Sequence, residues 1–317
     1  MVVKLTKPPV VRRLDYINDY MEGVKKGLDK EELEERLVDT KKRLETEKAL
    51  AVGRGNPFRK NINKTSNLTY DCKRITVAMQ LIENEPIILT ELGEKYLQSS
   101  DPERKTIICE AYSKAYPHFG ELVKALQKHG TMVLPMRNKP EFRPEIQKYG
   151  LDMHQVAFDT VRDLATDVGL VNWYTKGSAE ERRQFVYLVC CQVDSLLEAK
   201  YTVYYRAQHL YLKPNKVSIK MFRDSLWDNY IELVNGISGA PVFYSELRMH
   251  VCYDLKISDS EFNKQTLDLF EDDEKLNVIL SQGTLPRKHD SASMLKSLPP
   301  KNEDGNYIIY IKIVRKR

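Results

Sequence analysis

The stretch that most constrains the fold is residues 68–97, LTYDCKRITVAMQLIENEPIILTELGEKYL. Cys72, Ile75, Met79 and Ile82 stand at helical spacing and predict a helix over 69–82 with one buried stripe. Lys73 and Arg74 fall outside that stripe and can face a partner. Pro86 forbids the helix from continuing, because it has no N–H and disfavours helix in the residue before it. Ile87, Ile88 and Leu89 form a short apolar run with strand character. Thr90 suits the N-cap of a second helix, with Glu91 and Glu94 in its first turn. A helix, a tight β turn and a second helix are therefore expected here.

The segment feeding this stretch carries its charge. Gly53, Gly55 and Pro57 make residues 51–67 a loop, and it holds Arg54, Arg59, Lys60 and Lys64 with no acid. Over residues 51–82 six basic side chains stand against the one acid Asp71, a local excess of +5. The whole chain of 317 residues has the same formal charge, +5, so this excess matches the chain's entire imbalance. Asn56, Asn61, Asn63 and Asn67 add donors and acceptors that suit phosphates or base edges. A solvated loop is the other reading of such a charge run; what favours DNA contact here is that the loop leads straight into the helix with Lys73 and Arg74.

The pattern recurs along the chain. Residues 1–50 read as an N-terminal helical arm: Leu14, Ile17 and Met21 share a face, and Asp29 with Glu32 has capping-box spacing for a charged surface helix over 30–49. Helices are expected over 101–115, opened by Asp101 and Pro102, and over 119–129, closed by Gly130. Residues 131–150, with Pro135, Pro140 and Pro144, read as a linker. A helix over 154–169, a strand over 170–174, a polar tip holding Arg182 and Arg183, and a return strand over 185–193 follow. Tyr201, Tyr204, Tyr205 and Tyr211 suit an interface or core better than a base-stacking platform. The last unit has a helix over 218–234, a helix capped by Ser245, and a Ser258 to Glu261 capping box opening another. Strands over 276–281 and 306–314 flank a long excursion with Arg287, Lys288, His289 and Lys296. Residues 271–274, all acidic, would repel phosphate and are expected to face away from it.

Helix, helix, strand, polar tip, strand is the order of a winged helix. The expected class is mainly α with small β hairpins, an α+β chain of tandem winged-helix domains. The expected divisions are 1–50 for the arm, 51–130 for a first unit with the basic loop, 131–216 for a second, and 217–317 for a third with a long wing.

Known catalytic patterns are missing. The nearest approach to a phosphate loop, Gly53-Arg54-Gly55, lacks the following Lys-Ser/Thr and a preceding strand. The five cysteines have no metal-ligand spacing and read as reduced, buried thiols of a cytoplasmic protein. No apolar run approaches the ~18 residues of a membrane span. Asp194 with Glu198 and Lys200 superficially matches the carboxylates and lysine of a metal-dependent nuclease, a pattern common by chance where 30% of residues are charged. No catalytic residue, metal or cofactor is expected.

The residues Ile88-Leu89-Thr90-x-x-Gly93 through Tyr96, Ile107-Ile108-x-Glu110-Ala111, Tyr116-Pro117, and Asp163-Leu164 with Gly169-Leu170-Val171 resemble the DNA-recognition region of FokI-like type IIS restriction endonucleases. The resemblance spans roughly residues 60–317 in layout. It implies three winged helices in series, double-stranded DNA as partner, and a place in a prokaryotic restriction or phage-defence system where a separate nuclease, helicase or other subunit supplies the enzyme. The chain departs from that family in lacking a recognisable cleavage domain and in its longer third wing. The function expected is non-catalytic DNA binding, with Arg54, Arg59, Lys60, Lys64, Lys73 and Arg74 first and Arg182, Arg183, Arg287 and Lys288 second. The alternatives are a protein-protein adaptor, or a nuclease using Glu198 and Lys200.

Overall fold

The computed structural model describes residues 2–5, 7–51, 66–135, 140–177, 181–189, 200–202, 205–207, 217–271, 273–283 and 298–316. The chain opens with a short strand, β1 (Val3–Lys4), then α1 (Leu14–Lys25) and α2 (Lys30–Ala51). Asp29 caps α2 as expected: its carboxylate accepts from the N–H of Glu31 and Glu32, and Glu32 returns a bond to the Asp29 N–H at 2.9 Å. However, α2 is not a free arm. Leu33 and Leu37 lie in the main core, and Arg36 is tied to Asp19 and Glu22 of α1.

Helix α3 (Ser66–Ala78) buries Cys72, Ile75 and Thr76, and Met79 just beyond its end. It stops four residues before the expected end. Gln80 takes a left-handed φ of 59°, and the N–H of Leu81 and Gln80 close back onto the carbonyls of Thr76 and Val77. The expected strand at Ile87 to Leu89 shrinks to one bridge, Ile82 to Leu89, and Ile87 and Ile88 are exposed. Thr90 does cap α4 (Glu91–Gln98), accepting from the Gly93 N–H at 3.1 Å. Next come α5 (Asp101–Ala115), with a capping box between Ser100 and Glu103, and α6 (His118–His129).

The segment expected as a linker is structured: it holds β2 (Thr131–Pro135), α7 (Phe142–Lys148) and the short β3 (Leu151–Asp152). Helix α8 (Gln155–Asp167) and the hairpin β4 (Val171–Lys176) and β5 (Arg183–Leu188) follow, in a sheet of order β2-β5-β4. A two-stranded piece, β6 (Lys200–Thr202) with β7 (Tyr205–Ala207), precedes the last unit. That unit is α9 (Ile219–Leu233), β8 (Val242–Phe243), α10 (Tyr244–Leu255), α11 (Asp259–Glu271), β9 (Leu276–Gln282) and β10 (Ile308–Arg315). Its sheet order is β8-β10-β9. Ser245 is not the cap of α10. The helix starts one residue earlier, and Ser245 is buried inside it.

Leaving aside the two-residue β3, which pairs with β1, the segments α6 to β5 and α9 to β10 share one plan: helix, strand, two helices, two strands, with the last strand central in its sheet. Register matches as well. Asn172 pairs with Tyr187 and Tyr174 with Phe185, and Asn277 pairs with Val314 and Ile279 with Lys312 in the corresponding places. The described fold is thus mixed α+β with two small antiparallel three-stranded sheets.

Two apolar clusters hold the molecule together. One runs from Leu5 to Val186 and merges what the sequence suggested as an arm and two units; the other runs from Phe222 to Ile313. They meet where the α10–α11 corner sits on the outer face of the β4–β5 sheet. Asn172 there donates to the Ile257 carbonyl at 3.3 Å and to Asp259 at 2.9 Å. Tyr253 packs edge-on against Tyr174 and Tyr187, each at 5.2 Å, and Lys256 lies 3.5 Å over the Tyr253 ring. Among the described residues, no helix is long and apolar enough to cross a membrane.

Candidate nucleic-acid interface

Three helices could serve as the reading helix of their unit: α3, α8 and α11. Helix α8 is consumed by packing. Residues 157–162, Leu164 and Ala165 are buried, Arg162 among them. Arg162 pairs with Asp159 at 3.1 Å and Asp163 at 2.6 Å, donates to Gln184, and lies 3.9 Å over the Trp173 ring. The N-terminal segment then covers the helix. Val3 and Lys4 pair in parallel with Leu151 and Asp152, and Pro8, Pro9 and Val11 are buried. Arg12 reaches Asp163 at 3.8 Å, and Asp167 receives both Arg13 at 3.0 Å and the Leu14 N–H at 2.9 Å. Burial pushes the Asp167 carboxyl up to about 6, against the pull of Arg13 and the Leu14 N–H.

Helix α11 is open but has the wrong charge. Its exposed residues are Ser260, Lys264, Asp268, Phe270 and Glu271, one cation against two acids. From the acidic run, Asp273 is buried, bound by Arg223 and by the N–H groups of Lys275 and Leu276. It closes the unit rather than facing solvent.

Helix α3 keeps a cationic face. Asn67, Tyr70 and Arg74 are exposed and Lys73 is half-buried. Arg74 lies 5.5 Å over the Tyr70 ring and touches Asp71 at 3.7 Å, a loose surface pair. None of the described ion pairs involves Lys73. On its inner side Cys72 is fully buried beside the Tyr16 carbonyl, and burial holds the thiol protonated. Tyr20 is likewise pushed up to about 12 by burial and then by Cys72. The helix is therefore anchored by neutral groups and presents its charge outward.

The outward face borders a groove of about 760 Å³ between α1, α2 and α3. Val24, Leu28, Leu33 and Val77 contribute apolar walls, and Lys30, Tyr70, Lys73, Arg74 and Asn84 polar ones. Of the residues expected from sequence, Lys73 and Arg74 are brought together here. Arg182 and Arg183 sit at the β4–β5 tip, half-buried and exposed respectively, and line no part of this groove. Arg54, Arg59, Lys60, Lys64, Arg287 and Lys288 lie outside the described residues, as does Glu198; Lys200 opens β6. Sequence reasoning missed Tyr70 and Lys30. Tyr70 was findable, since it stands three and four residues before Lys73 and Arg74 and so shares their helix face. Among the described residues no group of three His, Cys, Asp or Glu side chains is arranged to hold a metal ion. Comparison with protein-family models, curated proteins and solved structures returns no match to this chain.

Proposed function

We propose that this protein is a non-catalytic DNA-binding protein in which α3 and the basic segment leading into it grip duplex DNA. The observation that carries this is the open face of α3, with Asn67, Tyr70, Lys73 and Arg74 turned away from the core directly after four cations without an acid. Lysine and arginine there neutralise phosphates and release counterions, and the helix is free to meet a groove. The shared plan of the second and third units, with its 1-3-2 sheet order, supports a winged-helix reading of both. In that reading they brace and orient the first unit. The likeness to type IIS recognition regions fits a restriction or phage-defence setting, with chemistry supplied by a separate nuclease or helicase subunit.

Salt titration of binding to a labelled duplex tests this. If the six cations of residues 51–82 each meet a phosphate, log K falls with log salt at a slope of about −5. Lys73→Ala with Arg74→Ala lowers the slope to about −4, so that the loss between 50 and 200 mM salt shrinks from about 10³-fold to about 10²-fold. An unchanged slope in the double variant, or no binding at low salt, rejects the proposal.

A second reading, a protein adaptor, is favoured by the outer face of the third sheet. Ile279 and Val314 are 40% and 38% exposed there, at the register positions where Tyr174 and Tyr187 of the second sheet hold the α10–α11 corner. Copurification from the native host tests it: Ile279→Asp with Val314→Asp should release a partner while leaving duplex affinity intact.

A further inference from the structure

The groove beside α3 is more than a margin of the DNA-contacting face. Its volume, about 760 Å³, lies within the range of sites that enclose a small organic ligand. Paired bases inside a duplex have nothing to insert into walls made of Val24, Leu28, Leu33 and Val77. An unpaired base does, because it brings a flat apolar face and carries its own phosphate.

The rim is built for that combination. Tyr70 is 62% exposed, which is unusual for a large apolar ring on a helix that otherwise packs well, and Arg74 lies over it. Ile87, 41% exposed, also lines the groove. Lys30, Lys73 and Arg74 supply charge, and Asn84 supplies an amide for a base edge. Asp29 is the one acid among the described lining residues, against Lys30, Lys73 and Arg74, so the rim is net cationic.

We infer that this groove receives an unstacked nucleobase, stacked against Tyr70 with its flanking phosphates on Lys73 and Arg74. The inference rests on the DNA-binding reading and narrows it: the preferred ligand is nucleic acid with an unpaired base. An aromatic platform of this kind is tolerant of base identity.

The test uses the full chain and three probes of one sequence carrying 2-aminopurine: a single strand, a duplex with the analogue in a one-base bulge, and a fully paired duplex. The single strand and the bulge should bind more tightly than the paired duplex, with a change in 2-aminopurine emission. Tyr70→Ala should weaken the two unpaired probes about tenfold more than it weakens the paired one. Ala78→Trp, at an exposed position lining the groove, should do the same without removing a cation. Equal binding of all three probes with no effect of either variant overturns the base site and leaves DNA binding standing. Displacement of the probes by an acidic amphipathic peptide, with Tyr70→Ala neutral for nucleic acid, would make the groove a peptide site and also overturns it. No binding of any probe at low salt removes both readings.

Discussion

Gly93→Ala should destabilise the protein, although helix propensity alone gives the opposite sign. Gly93 sits in the first turn of α4, where alanine is favoured over glycine by about 1 kcal/mol. A Cβ built there would lie 2.0 Å from the Leu81 carbonyl oxygen and 3.0 Å from the Met21 methyl. Reaching ordinary contact at 3.4 Å requires a shift of about 1.4 Å against backbone, which cannot rotate out of the way as a side chain can. The same carbonyl accepts the Thr90 N–H at 3.1 Å, and the Thr90 hydroxyl donates to the Gln80 carbonyl at 2.6 Å. A retreat of α4 on that scale breaks at least the first bond, at about 1 kcal/mol, and adds an overpacking cost of about 1–3 kcal/mol. After the propensity gain, the net loss is about 2 kcal/mol. Urea unfolding followed by circular dichroism reads it directly, and a thermal scan should show a Tm lower by about 4–8 °C. Unchanged or raised stability would mean that the approach of α4 to the α3 turn is not what requires glycine here.

Two further perturbations probe the rest of the frame. Asn172→Ala removes the donors to the Ile257 carbonyl and Asp259 and the acceptor of the Trp173 N–H, all buried, and should cost about 2–3 kcal/mol. Hydrogen exchange should quicken around residues 253–259, and protection equal to that of the parent would refute the idea that this bond holds the third unit. Asp273 should shape the acid limb of stability. Burial pushes its carboxyl up, but Arg223 and the N–H groups of Leu276 and Lys275 outweigh that and hold it below its usual value of 3.8. A lowered folded value stabilises above the unfolded value, and that contribution is lost as pH falls below 3.8. Asp273→Asn should therefore flatten the loss of stability between about pH 4 and 2, and an acid limb identical to the parent's would refute it.

Local chemistry made many helix starts legible. Asp29 with Glu32, Thr90, and Ser258 ahead of Glu261 cap where their spacing says they should. Helix ends were harder, because Gln80 and Lys256 take the left-handed cap position that glycine usually marks. The prolines of residues 131–150 misled for a physical reason. Pro135 closes β2, an edge strand, where a missing N–H costs no ladder bond, and Pro144 falls in the first turn of α7. The pairing of Val3 with Leu151 joins residues far apart in sequence, and no local periodicity announces it. Of the candidate site, the cations of α3 followed from helical spacing. The groove beside them did not, since its walls come from three helices and a turn.

The two segments that share one plan, and helix α3 before them, leave very different helix faces open. In the second unit the N-terminal segment claims α8 through a parallel strand pair and through Arg12, Arg13 and the start of α1 on Asp163 and Asp167. In the third unit the corner before α11 is claimed by Asn172 and the tyrosines of the second sheet, and the face left open carries more acid than base. Each of those contacts fixes one unit against its neighbour. The contacts on Asp167 also fix α1, whose N-terminus they hold and whose Tyr20 and Val24 line the groove beside α3. If α3 grips DNA as proposed, Asp167→Asn should therefore weaken duplex affinity through α1, and an affinity equal to the parent's in the salt titration would refute that coupling.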